Sequence, residues 1–202
     1  MKKDFIANLS TEKVMQVFEK KGYSYFSKGA YNLNIFGIRS EISTQNSFDD
    51  LICVFYKNNK GENVEFICPA TTDPGTYWLE HPMNTGGTAI LCEGQYKGAY
   101  ALGTHYGHDA LVQVKPLPCY RDNNKDGIID KDARTITTGL YGINLHSAWW
   151  VEEADVIGNA SAGCQVTKIK YHHKFIIESA KQAAKIYGNS FTYTLFNEKD
   201  YE

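Results

Sequence analysis

The chain carries no excess of charge of either sign. Its 21 Lys+Arg stand against 23 Asp+Glu, a formal net charge of −2. This excludes the basic footprint of a nucleic-acid binder and the polybasic patch of a membrane-surface protein. No run of 18 apolar residues occurs, so no transmembrane helix is expected. The opening stretch MKKDFIANLSTEK has two lysines, but Asp4 and Asn8 interrupt any apolar core. No secretion signal is legible there, and synthesis in the cytoplasm is expected. Only 5 prolines are present, and there is no internal repeat, low-complexity tract or linker-like segment. No two cysteines form a CxxC pair, which removes the zinc-knuckle and thioredoxin motifs.

What is present is globular. At 202 residues, 43% hydrophobic and 22% charged, the chain is long enough to bury one sizeable core without staples. Five cysteines is an odd number, so at least one thiol stays unpaired within the chain. Cys53, Cys68 and Cys92 lie in the apolar runs LICVF, EFICP and AILCE, where a free cysteine serves as a small hydrophobe. Cys119 is left undecided between roles. Free thiols fit a reducing compartment.

Local patterns point to a mainly β domain with two helices. Residues 9–21 form an amphipathic helix, capped by Ser10 or Thr11, striped by Val14, Val17 and Phe18, and ended by Gly22. Residues 1–30 read as an N-terminal helical extension, and 31–202 as the main domain. YNLNIFGIR alternates as a strand. LICVFYK and NVEFICP flank a polar turn closed by Gly61, the pattern of a hairpin. TYWLE, TAILCEGQY and ALVQVKPLPCY read as further strands, and FTYTLF as the last. Residues 173–187 repeat at helical spacing and end at Gly188-Asn189. Without βαβ alternation, a β-sandwich or barrel-like (α+β) fold is expected, with one helix packed late.

Chemistry concentrates in residues 142–166, GINLHSAWWVEEADVIGNASAGCQV. Cys164 follows small residues in a glycine-containing turn, which lets a substrate approach the sulfur and backbone N–H groups converge. A thiol needs a base beside it to become a nucleophile, and His146 is the candidate. On spacing alone, a buried structural cysteine and a hydrogen-bonded core histidine explain the pair equally well.

The pattern His146–x14–Ser161–x–Gly163–Cys164 resembles the catalytic motif of the L,D-transpeptidase family (YkuD type), and Thr72-Asp73-Pro74-Gly75-Thr76-Tyr77 upstream resembles the segment that precedes that family's active-site strands. The resemblance runs from about residue 50 to 170. Three departures stand out: Ala162 replaces the family's middle histidine, Val166 (beside Gln165) its arginine, and Ser147 a glycine. The resemblance implies a β-rich catalytic domain. It also implies acyl transfer on peptidoglycan stem peptides, with Cys164 attacking, His146 as base, N–H groups around Gly163 and Cys164 holding the oxyanion, and Ser161 orienting the turn. The missing arginine leaves transpeptidation and hydrolysis both open. No cofactor is implied for catalysis. The substrate lies outside the membrane, so release or export is an expectation of this reading. A cysteine amidase acting on some other peptide is a second enzyme reading. The rival from a different class is a catalytically inactive, β-rich wall- or glycan-binding module, stabilised by calcium.

Other residues compete for roles. His105 and His108 sit in GTHYGHDA, read as a surface turn with lining of the cleft as the alternative. Tyr96, Tyr100, Tyr106 and Trp78 either wall a groove or pack in the core. Trp149 and Trp150 wall the pocket or pack beneath the loop. His172 and His173 open the late helix and are expected to be exposed. Asp122, Asn124, Asp126 and Asp130 occupy positions 1, 3, 5 and 9 of a calcium-type loop with Gly127 at position 6. Position 12 is Ala133 rather than glutamate, and flanking helices are not expected. A non-EF-hand calcium loop and a solvated Asx turn are both open.

Overall fold

The computed structural model describes residues 3–42, 44, 46–148 and 155–202. Two short helices, α1 (Lys3–Ala7) and α2 (Thr11–Lys20), precede the strands β1 (Asn34–Arg39), β2 (Asp50–Lys57) and β3 (Asn63–Thr71). Helix α3 (Thr76–Glu80) follows, then β4 (Thr88–Leu91), β5 (Gly94–His105), β6 (His108–Gln113) and β7 (Leu117–Asp122). The chain continues through β8 (Thr137–Gly139), β9 (Leu145–Ser147) and β10 (Gln165–Thr167). The late helix begins as α4 (Ile169–Tyr171), passes through a π-helical stretch at His172–Ile177 and ends as α5 (Glu178–Tyr187), before β11 (Phe191–Asn197).

Eight strands close into a barrel in the order β1-β11-β5-β6-β9-β10-β3-β2, and β4-β7-β8 form a separate three-stranded sheet. The mainly β architecture agrees with the sequence expectation, and closure removes the exposed edges that an open sheet would leave. Two seams are parallel, β1 with β11 and β9 with β10. No helix among the described residues is long and apolar enough to cross a membrane.

The hairpin of β2 and β3 pairs from Asp50↔Ala70 to Lys57↔Asn63, and Gly61 takes φ +80° in its turn. Inward-facing Ile35, Ile52, Val54, Cys68, Leu111, Leu145 and Leu195 fill the barrel, joined by Ile176, Ala180 and Ala183 of the late helix. Helix α2 uses its apolar stripe, Val14, Val17 and Phe18, to cover Phe36, Cys53, Phe55 and Phe196 on the outer face of β1, β2 and β11. Its N-cap is Ser10, whose side chain accepts from Lys13 N. Residues 5–25 are therefore docked on the barrel by a second apolar cluster.

Three local expectations change. TYWLE is helix α3 rather than a strand: Gly75 initiates it, and only Leu79 faces the interior. No strand is assigned after Cys164 from the sequence; Gln165–Thr167 form β10, fully buried. His172 is buried, not exposed, with Nε2 3.0 Å from the Asp109 carbonyl, while His173 is largely exposed. The π-helical register in this stretch accompanies the inward turn of Ile176 and Ile177 with His172.

At one end of the barrel Arg39 is completely buried. Its Nε lies 3.0 Å from Asp73 Oδ1 and donates to Thr72 Oγ1. Nη1 donates to the Leu91 carbonyl (2.9 Å) and Glu93 Oε1 (2.7 Å), and Nη2 to the Thr72 carbonyl (2.8 Å). Asp50 accepts from Ser40 N and from Thr72 N and Oγ1. Replacing Arg39 by Met leaves these acceptors without their cation, and the expected loss is about 3–5 kcal/mol in urea unfolding. The outlying pair Lys21–Asp200, at 3.0 Å, is the control: Lys21→Met should cost less than about 1 kcal/mol.

Candidate active site

Cys164 and His146 are brought together by the parallel seam of β9 and β10. Val166 pairs with His146, and Gln165 with Leu145. Gln165 N donates to the Asn144 carbonyl at 2.8 Å, which places Cys164 beside Asn144. Side chains alternate along strands, so Cys164 and Val166 share a face with Asn144, His146 and Ala148. Packing agrees: Cys164, Val166 and Ala148 form one small apolar cluster outside the barrel core. Cys164 and His146 are thus diagonal neighbours on one face.

The tautomer of His146 follows from its contacts. Nδ1 lies 2.7 Å from the Ser147 carbonyl, which can only accept, so Nδ1 carries the proton and Nε2 is the basic nitrogen. The His105 ring stacks on His146, with centroids 4.3 Å apart. Asn144 Oδ1 accepts from Gln113 N, so its amide nitrogen donates to His105 Nδ1 at 3.1 Å. His105 Nδ1 therefore accepts, and that ring is neutral. Burial, and then the neighbouring His105, push the His146 pKa down to about 3. Burial pushes the Cys164 thiol up to about 11, and at rest Sγ–H donates to the Gly142 carbonyl at 3.3 Å. The resting pair is thiol and imidazole, not thiolate and imidazolium.

The two motif segments meet, although about ninety residues separate them. Gly75 N donates to the Ser161 carbonyl at 2.8 Å, and Trp78 Nε1 to the Asn159 carbonyl at 2.8 Å. The fully buried Ser161 hydroxyl lies 3.0 Å from the Asp73 carbonyl and 2.9 Å from the Cys164 carbonyl. Gly163 N donates back to it at 3.2 Å, so that N–H is engaged within the turn rather than aimed outward as expected for an oxyanion hole. Gly163 has φ +117°, and a Cβ there would sit 2.1 Å from the Ala89 carbonyl oxygen, so only glycine fits. Gln165 points into the barrel, where its Oε1 accepts from Tyr193 OH at 2.8 Å.

Cys164 lies in the wall of a cleft of ≈ 590 Å³, together with Trp78, Tyr106, His105, Asn144 and Arg121. Trp78 and Tyr106 match the expected groove aromatics. Tyr100 belongs to the core, and Tyr96 packs against it. His108 is exposed at the tip of the β5–β6 turn, while His105 takes the cleft-lining role. The positions of Trp149 and Trp150 lie outside the described residues. Sequence reasoning missed the Ser147 carbonyl, Asn144 and Arg121, because a backbone acceptor and cross-strand neighbours leave no local pattern.

The other four cysteines are buried in strands or just beyond, and none of the five forms a disulfide. Cys119 of β7 belongs to the main core. The turn after β7 is a hydrogen-bonded net. The Asn124 amide donates to Asp126 Oδ2 (3.0 Å) and Asp130 Oδ2 (2.7 Å), and Asp130 N to Asp122 Oδ2 (2.8 Å). Among the described residues, no group of three or more His, Cys, Asp or Glu side chains is placed to hold a metal ion.

The raised thiol fixes the sign of a pH experiment. Alkylation of Cys164 by iodoacetamide, followed by peptide mass mapping, should accelerate with pH through neutrality and level off only near pH 11. A plateau below pH 8 would mean a preformed thiolate. No family model, curated protein or solved structure matches this chain.

Proposed function

We propose that the protein is a cysteine-dependent acyltransferase or peptidase of the L,D-transpeptidase type, acting on peptidoglycan stem peptides. The observation that carries this is the strand face shared by Cys164 and His146, with Cys164 in the wall of a cleft and His146 Nδ1 tied to the Ser147 carbonyl behind it. That bond makes Nε2 the basic nitrogen, as a base held in place by an orienting group requires. The meeting of the Thr72–Tyr77 and Ser161–Cys164 segments adds support.

Because both groups rest neutral, proton transfer accompanies attack. His146 Nε2 takes the Sγ proton as sulfur bonds to the peptide carbonyl carbon. The C–N bond then breaks, and the leaving amine takes that proton from the imidazolium. Water or a second amine attacks the thioester, giving its proton to His146. The C–S bond breaks, and the proton returns to sulfur. General-base help of this kind is worth about 10²–10⁴ in rate. Incubated with muropeptides and followed by mass spectrometry, Cys164→Ala should show no turnover, and His146→Gln should fall at least about 100-fold. Turnover unchanged in Cys164→Ala overturns the assignment. Binding without turnover in the wild type favours the inactive wall-binding module.

A structural calcium in the Asp122–Asp130 turn is the companion proposal. Asp122 is 2% exposed, and its Oδ1 is buried without a hydrogen-bond partner. Burial raises its pKa, and Asp130 and Asp126 add to the shift. A hard cation would relieve both costs through oxygen ligands. Calcium should raise the melting temperature relative to a chelated sample, and Asp122→Asn should blunt the rise. Identical melting curves leave the turn as an Asx net alone.

A further inference from the structure

Among the described residues, the wall of the cleft beside Cys164 has one formal charge, the guanidinium of Arg121, and no carboxylate. The remaining wall is aromatic, amide and aliphatic, and the tautomer of His105 makes that ring neutral. Arg121 also borders an adjoining cavity of ≈ 460 Å³, with Asn84 and Tyr141 common to both. It therefore stands where the two spaces meet.

Arg121 is held by neutral groups. Its Nε donates to Thr137 Oγ1 at 2.9 Å and Nη1 to the Gly87 carbonyl at 3.2 Å. Its guanidinium carbon lies 4.0 Å above the centre of the Tyr141 ring. Among the described residues no carboxylate forms an ion pair with it. A guanidinium has five N–H donors, and these two bonds use two of them. Clamped by β8, a backbone carbonyl and an aromatic face, the fork is fixed before any ligand arrives, which limits the entropy lost on binding. Its matching partner is a carboxylate, which accepts two parallel N–H bonds.

We infer that Arg121 sets the specificity of this cleft, and that the ligand lying against Cys164 carries a free carboxylate that pairs with the guanidinium. The inference rests on the assignment of Cys164 as nucleophile. On a stem peptide the carboxylate has three sources: the C-terminus, the side-chain end of the diamino acid, and the α-carboxyl of the γ-linked glutamate.

The test uses full-length Cys164→Ala protein, which binds without turning over, and calorimetric titration with a diaminopimelate-containing tetrapeptide. Three companion peptides each have one carboxylate converted to carboxamide. One conversion should weaken binding about 10–100-fold, and its position identifies the source. In Cys164→Ala/Arg121→Gln that discrimination should vanish, while the other two conversions act as before. Cys164→Ala/Arg121→Lys should keep part of it, because the charge stays and the fork is lost. The readout is a ratio between peptides, so a modest loss of stability does not mimic it. Equal affinity for all four peptides, no binding of any, or discrimination that survives Arg121→Gln overturns the inference. Parallel turnover by the wild type separates the two claims. Carboxylate discrimination with no Cys164-dependent turnover sinks the nucleophile assignment alone. Turnover at equal rates for acid and amide forms sinks the role of Arg121 alone.

Discussion

A fully buried guanidinium is tolerated only when acceptors surround it, and each of the three Arg39 nitrogens finds at least one by gathering three parts of the chain. Burial alone disfavours its charge; the carboxylates of Asp73, Glu93 and Asp50 more than offset this and raise its pKa. In satisfying Arg39, β1 of the barrel is tied to the Thr72-Asp73 corner and to the segment just after β4. The next link is Ser161, which reaches the Asp73 carbonyl from the turn holding Cys164. Ser161 thus links the candidate nucleophile's backbone to Asp73, the ion partner of Arg39. A loop that would otherwise carry its own entropy is fixed by the barrel.

The same burial shapes the chemistry. His146 is 2% exposed and is stacked on a second neutral ring, and Cys164 is enclosed on a strand edge. A low-dielectric setting disfavours both charged forms, so the proton rests on sulfur. An idle thiolate, prone to oxidation, is avoided. Under the proposed function, attack would need a base already aligned, and the Ser147 carbonyl holds the His146 ring in one orientation. The one formal charge in the described wall of the cleft, Arg121, is fixed by neutral partners.

Much of the barrel was legible from local pattern. Alternation in YNLNIFGIR and FTYTLF, the Gly61 turn between LICVFYK and NVEFICP, and the spacing of Ile176, Ala180 and Ala183 each reflect one periodicity and one core-facing side. TYWLE misleads, because aromatic residues favour strands until the preceding Gly75, held by Ser161, starts a helical turn. His172 misleads because a polar residue at a helix start reads as exposed; here the Asp109 carbonyl of β6 satisfies it. His105 was ambiguous for the same reason, since only the stacking on His146 gives it a role.

The sequence by itself determined the mainly β character, the free thiols in apolar runs, and the candidacy of His146, Ser161, Gly163 and Cys164, because these rest on short-range spacing and residue type. The tertiary structure alone decided which face Cys164 and His146 share, since parallel register is a relation between strands and leaves no local trace. It also decided the tautomer of His146, because that depends on a backbone carbonyl. The placement of Arg121 in the cleft was decided there too, because β7 reaches the site only once the second sheet has packed beside the barrel.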